Sequence, residues 1–109
     1  MELAICATCR KKSPTTCDAT PLLVAAARAW AKARRQPLRV VREPCLSGCL
    51  QGAMAMVTLP EGIVRFQGVR RAAQLPALLD DAPEIIAGRL CPSSSQVLSR
   101  LNWAEWEAQ

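Results

Sequence analysis

One stretch of this chain, residues 45–69, decides its fold: CLSGCLQGAMAMVTLPEGIVRFQGV. After two cysteines, Ala53–Leu59 alternates Met and Thr on one face with apolar residues on the other, which is the period of a β-strand. Pro60-Glu61-Gly62 is a turn signal, and Ile63–Phe66 follows as a return strand. The stretch therefore predicts a β-hairpin that begins directly behind a cysteine-bearing loop.

The flanking sequence adds a strand, a helix and a second strand before this hairpin. Glu2–Ile5 is short and mostly apolar, and Leu38–Arg42 is rich in Val with alternating Arg. Between them, Pro21–Arg35 repeats apolar residues every three or four positions and carries Pro at its first position, as a helix does. Two segments behind the hairpin, Arg70–Asp81 and Pro83–Leu90, also have helical patterns.

This order of elements, β-α-β-β-α, predicts an α/β fold with a mixed sheet and helices packed on it. The second strand is expected to run parallel to the first, joined to it by a right-handed crossover. Residues 1–92 form the expected domain. Residues 93–109 are expected to form a C-terminal tail with a short amphipathic helix.

Length and composition argue against several classes of function. The chain has 109 residues, half of them hydrophobic, which predicts one small domain rather than a multidomain enzyme. It contains no His, which excludes Ser-His and Cys-His catalysis, His-containing zinc sites and a Rieske centre. Its few aromatic residues argue against a stacking platform for nucleic acid. Six cysteines remain as the main source of chemistry.

The hydrophobic segments predict the compartment. None approaches the roughly 20 residues needed to cross a bilayer, and the N-terminus lacks the pattern of a signal peptide. We therefore expect a cytoplasmic protein without a membrane partner. Because cysteines in that reducing compartment rarely form disulfides, metal or redox chemistry is the better interpretation of the six.

Five of the cysteines fall into two groups, each in a loop that follows one of the two parallel strands. Cys6, Cys9 and Cys17 follow the first strand, and Cys45 and Cys49 follow the second. Loops after neighbouring parallel strands meet at one end of a sheet, so four thiolates are expected to converge there. Such a set binds Zn²⁺ or an iron–sulfur cluster.

Smaller features bear on the choice of metal and ligands. Ser47 and Gly48 let the backbone bend sharply and turn its N–H groups toward sulfur, which favours the anionic cluster. Cys91 lies far downstream of the two groups and is expected to be an inert packing residue. Met54 and Met56 are expected to pack within their strand rather than bind metal.

The second cysteine group and the hairpin behind it, Cys45–Val57 and Val64–Val69, resemble the thioredoxin-like [2Fe–2S] ferredoxins. The same pattern occurs in the related small subunit of NADH dehydrogenases and hydrogenases. The resemblance covers about residues 2–90 and is more specific in the second cysteine group than in the first. It implies a thioredoxin-like fold, a [2Fe–2S] cluster held by four thiolates, and one-electron transfer.

Carried over residue by residue, the resemblance assigns three ligands and leaves the fourth open. Cys6 matches the thiol at the end of the first strand, and Cys45 and Cys49 match the second pair. Cys17 corresponds to the ordinary ferredoxin arrangement, whereas Cys9 matches a Cys-x-x-Cys variant of uncharacterised small metal-binding relatives. We favour Cys17, because its place near the start of a helix also stabilises a thiolate.

The resemblance and the charge together predict an electron carrier rather than an enzyme. Basic residues of the first loop, Arg10, Lys11 and Lys12, would stabilise the more negative reduced state. The net charge of +5, unlike the acidic balance frequent in such ferredoxins, suits a redox partner protein with an acidic docking face. We expect no nucleic-acid partner, and a homodimer is left open.

Two other functions use the same cysteines. The first is a structural or storage zinc module on the four thiolates. The second is a thiol–disulfide oxidoreductase that uses Cys6 and Cys9, which fits less well. An oxidoreductase of that type places its pair at the start of the first long helix, and this pair lies well before Pro21.

Overall fold

The computed structural model describes residues 1–6, 20–43, 53–89 and 97–108, and within these the chain forms an α/β fold. Five strands build one mixed sheet in the order β2-β1-β3-β4-β5. The elements are β1 (Glu2–Cys6), α1 (Thr20–Arg34), β2 (Arg39–Glu43), β3 (Ala53–Leu59), β4 (Gly62–Val69), a 3-10 turn (Ala72–Gln74), α2 (Leu75–Ile86), β5 (Val97–Asn102) and α3 (Trp103–Glu107).

The strand directions agree with the sequence analysis. β1 and β2 are parallel neighbours, while β3 is antiparallel to both β1 and β4. The expected α/β class, with a mixed sheet and helices packed on it, is therefore confirmed. A parallel pair needs a long crossover, and α1 lies between β1 and β2 in the chain, as that requirement predicts.

Both long helices pack on the same face of the sheet. Alternate residues of the central strands, such as Leu3 and Ile5 of β1 and Val64 and Phe66 of β4, form a buried core with the apolar faces of α1 and α2. Residues two apart on a strand share a face, so these side chains point to one side. The core is thus the layer between the two helices and one face of the sheet.

The helix behind the hairpin differs from its prediction. Instead of two helices separated before Pro83, one helix runs from Leu75 to Ile86 with Pro83 inside it. Pro removes a backbone hydrogen bond and costs about 3 kcal/mol in a helix interior. The helix continues because it buries a long apolar face against the core: Leu75, Leu78, Leu79, Ala82, Ile85 and Ile86. Ala87 caps the helix, and Gly88 follows with a φ of 78°, which is accessible to Gly without strain.

The described part of the predicted tail joins the sheet. β5 pairs antiparallel with β4, and α3 follows it directly. The side chains of Arg100 and Asn102 donate to the carbonyl oxygen of Ile86, at 3.1 and 2.8 Å, which fixes β5 to the end of α2. The sequence analysis predicted a short helix in this region but not the strand. The predicted domain boundary at residues 92 and 93 lies outside the described residues.

A polar contact fastens α1 to α2. The indole Nε1 of Trp30 donates to Asp80 Oδ1 at 3.0 Å, and Arg34 forms a two-point ion pair with the same carboxylate. The Arg34 guanidinium also lies over the Trp30 ring, 5.8 Å from its centroid. The Trp30 hydrogen bond, assisted by Arg34, holds the pKa of Asp80 below its ordinary value.

Asp80→Asn is therefore expected to lower the free energy of unfolding by about 1 kcal/mol at neutral pH. Because the pKa of Asp80 is lowered in the folded state, its stabilisation is present above the ordinary carboxyl pKa. It disappears as the pH falls through the lowered value. Urea unfolding of both proteins between about pH 2 and pH 7 should show the difference closing in acid.

Asp81→Asn is the matched control, since it removes the same charge from the next residue of α2. The side chain of Asp81 makes no ion pair or hydrogen bond with a described residue. Its substitution should change stability by less than about 0.5 kcal/mol at any pH in this range. Equal losses for the two variants would show that overall charge, not the contact with α1, determines the effect.

Candidate metal centre

We call the end of the sheet at which β1 and β2 terminate the cysteine edge. It is an end of the strands, not the lateral edge that β2 forms. Cys6 is the last residue of β1 and pairs with Glu43, the last residue of β2. The segments that carry the two cysteine groups, 7–19 and 44–52, therefore leave the sheet from adjacent, paired positions. This is the juxtaposition that the spacing of the cysteines predicts.

The next strand begins at the same edge. Ala55 of β3 pairs with Ile5 of β1, so the start of β3 lies beside the end of β1. In the sheet, β1 lies between β2 and β3. The segment with Cys45 and Cys49 thus begins on one side of Cys6, at Glu43, and re-enters the sheet on the other side, at Ala53. Its two ends flank the terminus of β1.

The individual site residues are described to different extents. Cys6 is placed by its backbone at the cysteine edge. The other candidate ligands, Cys9, Cys17, Cys45 and Cys49, lie outside the described residues, as do Cys91 and the basic residues Arg10, Lys11 and Lys12. α1 begins at Thr20, so Cys17 stands three positions before a helix, as the sequence analysis expected.

The structure brings further positive charge to the cysteine edge. Ala53 pairs with Val69, so β4 ends at this edge and the exposed residues Arg70 and Arg71 follow at once. Arg42, also exposed, is the residue before Glu43 at the end of β2. The sequence analysis named basic residues only in the first loop. The hairpin register could have located Arg70 and Arg71, because a hairpin returns the chain to the edge where it began.

One of the two methionines of β3 packs inside the protein. Met54 is fully buried, and its Sδ lies 3.8 Å from Nη2 of Arg65. Within residues 1–6, 20–43, 53–89 and 97–108, no three His, Cys, Asp or Glu side chains are grouped so that they could hold a metal ion. Five of the six cysteines lie outside those ranges, so the cysteine chemistry stays a prediction.

A concave region of about 500 Å³ lies between α1 and α2, away from the cysteine edge. Trp30, Arg34 and Asp80 line it together with Leu59 and Leu79. Arg34 and Asp80 are paired with each other there, so these two charges serve the contact between the helices. None of the described helices is long and apolar enough to cross a membrane.

No family model, curated protein or solved structure matches this chain. The resemblance to the thioredoxin-like ferredoxins stays a prediction that rests on the residues quoted above.

Proposed function

We propose that this protein is a small electron carrier that holds a [2Fe–2S] cluster at the cysteine edge. The observation that carries the proposal is the pairing of Cys6 with Glu43 at the ends of two parallel strands. Through it, the two cysteine-bearing segments start side by side, and the second segment has its ends on either side of Cys6. Four thiolates from two loops are a ligand set that iron–sulfur clusters use.

The sheet supports the finer proposal of a thioredoxin-like topology. The chain order β1-α1-β2-β3-β4-α2 is the β-α-β-β-α pattern that the resemblance implies. The parallel pair β1/β2 and the antiparallel hairpin β3/β4 lie side by side in one sheet, with β1 and β3 at its centre. β5 is an addition at one edge and leaves this arrangement unchanged.

The residues proposed as ligands are Cys6, Cys17, Cys45 and Cys49, with Cys9 as the alternative to Cys17. The bound cluster would supply one-electron transfer. Arg42, Arg70 and Arg71 place fixed positive charge at the cysteine edge, which stabilises added negative charge there. The same charges would attract a redox partner with an acidic docking face in a fast encounter that weakens with salt.

Protein purified without oxygen tests the proposal directly. We expect about two irons and about two acid-labile sulfides per chain, with the red-brown colour of a binuclear cluster. A stoichiometric zinc content without iron would contradict it and favour the zinc module instead. The dithiol alternative is supported less, because Cys6 ends a strand and α1 begins only at Thr20.

Single substitutions decide the fourth ligand. If Cys17 is the ligand, Cys17→Ser should lower the cluster content or shift the absorption spectrum, with Cys9 substituting in part. Cys9→Ser alone should leave the absorption and electron paramagnetic resonance spectra unchanged. The double variant should hold no stable cluster, since three thiolates leave one iron site open to solvent. A bleached Cys9→Ser protein beside an unaltered Cys17→Ser protein would reverse the assignment.

A further inference from the structure

One lateral side of the molecule carries five exposed basic residues, which we call the basic band. It consists of Arg28, Lys32 and Arg35 on and just after α1, and of Arg39 and Arg42 on β2. Arg42 lies two residues from Val40, which packs against the core, so Arg42 is on the helix side of the sheet, whereas Arg39 is on the opposite face. All five side chains are exposed. Within the described parts of the chain none of them forms an ion pair or a side-chain hydrogen bond, unlike Arg34, Arg89 and Arg100. The basic band is therefore a candidate surface for an acidic partner.

Helix geometry places the α1 part of the band on the β2 side. Trp30 and Arg34 contact Asp80 of α2, so their flank of α1 faces α2. At 3.6 residues per turn, Arg28 lies about 160° around the helix from Trp30. Arg28 and Lys32 are four residues apart, which keeps them on one flank of α1, and Arg35 follows directly after the helix. That flank faces away from α2, over the edge of the sheet that β2 forms.

Backbone N–H and C=O groups lie along the lateral edge of the sheet that β2 forms. Among the described strands, β2 pairs only with β1. The backbone N–H of Arg39 donates to the carbonyl oxygen of Met1 at 3.0 Å, on the β1 side. Successive residues of a strand direct their N–H and C=O groups to opposite sides, so those of Val40 and Arg42 point outward. The edge thus presents both donors and acceptors, bordered by cations.

Cations beside outward backbone donors and acceptors favour one class of anionic partner over the others. A second copy of the chain would bring its own basic band and be repelled, which is how charged edge strands prevent self-association. The phosphodiester backbone of a nucleic acid offers acceptors but few donors, so it would leave the outward carbonyl groups unmatched. An extended polypeptide supplies donors and acceptors in alternation, and acidic side chains on it would meet the band.

We propose that the β2 edge binds an extended acidic segment of a partner protein as an added strand, with the basic band contacting its carboxylates. Binding at this strand does not depend on the proposed cluster. Arg42 is the residue at which the band reaches the cysteine edge. A partner bound along β2 would therefore be held next to that edge.

Fluorescence anisotropy with a labelled peptide of about seven residues, alternating Glu and Thr, tests the proposal on the full chain at about 50 mM salt. The double variant Arg28→Glu/Lys32→Glu should weaken binding at least about tenfold, while its circular dichroism stays that of the parent. Arg70→Glu/Arg71→Glu makes the same change in net charge at exposed positions outside the band. It should weaken binding less than about threefold.

Two further probes separate strand addition from simple attraction of charge. The same peptide methylated on alternate backbone nitrogens keeps its charge but cannot complete a strand ladder, and it should bind at least about tenfold more weakly. Single-stranded DNA of equal net charge should also bind more weakly than the peptide. Equal loss in both double variants, unchanged binding of the methylated peptide, or tighter binding of the DNA would each overturn the proposal.

Discussion

Cys45→Ser and Cys49→Ser are each expected to reduce the iron content from about two per chain to well below one. The melting temperature should fall in the same variants by about 10 °C or more, because the free energy of metal binding is also folding free energy in a small domain. The strands that border segment 44–52, β2 and β3, lie on either side of β1, so a cluster bound by Cys6, Cys45 and Cys49 would link three strands. Iron analysis and thermal unfolding measure the two effects.

Cys91→Ser is the matched control, since it makes the same atomic change in a cysteine outside both groups. It should keep the iron content and the absorption spectrum of the parent. A bleached Cys91→Ser protein together with a Cys45→Ser protein of full spectrum would show that the ligand assignment is wrong. A loss of iron without any loss of stability would instead contradict the proposed coupling between the site and the fold.

Phe66→Ala is expected to lower the free energy of unfolding by about 3 to 5 kcal/mol. Phe66 is the single phenylalanine of the chain, is 1% exposed and belongs to the core that both long helices share with the sheet. A loss of this size is a large part of the roughly 5 to 15 kcal/mol that stabilises a typical domain. Urea unfolding followed by circular dichroism measures it.

Ile63→Ala provides the comparison on the same strand. Ile63 is only partly buried and lies an odd number of residues from Phe66, on the opposite face of β4. Its substitution should cost less than about half as much as Phe66→Ala. Equal costs would show that the face without the two long helices is packed as tightly as the core.

The sequence was most informative where local pattern and burial agree. The bounds of β3, Ala53–Leu59, are those predicted, and α1 begins one residue before its predicted start at Pro21. Apolar residues of these two segments recur with the period of a strand or a helix, and they lie on the face that packs against the core. The sequence pattern alone therefore locates both elements. The parallel pairing of β1 and β2 also followed, because a helix between two short strands favours a crossover.

For the candidate site, the sequence predicted only the strand ends from which the two cysteine-bearing segments start. The spacing of the cysteines and the order of the elements predicted that segments 7–19 and 44–52 start together, and Cys6 beside Glu43 agrees with that. The identity of the metal and the choice between Cys9 and Cys17 stay predictions. Arg70 and Arg71 were not connected with the site, although the predicted hairpin already implied that the chain returns to this end of the sheet.

The sequence by itself determined the α/β class, the hairpin and the first parallel pair, since each depends on periodicities a few residues long. Tertiary packing decided the rest. Pro83 is tolerated inside α2 because the buried face of that helix outweighs one lost hydrogen bond. β5 has no strong strand pattern of its own and forms where β4 offers an edge. At that edge a Cβ on Gly62 would overlap the carbonyl oxygen of Leu101, so the two strands approach closely only because residue 62 is Gly. This contact joins residues distant in sequence, and no local pattern encodes it.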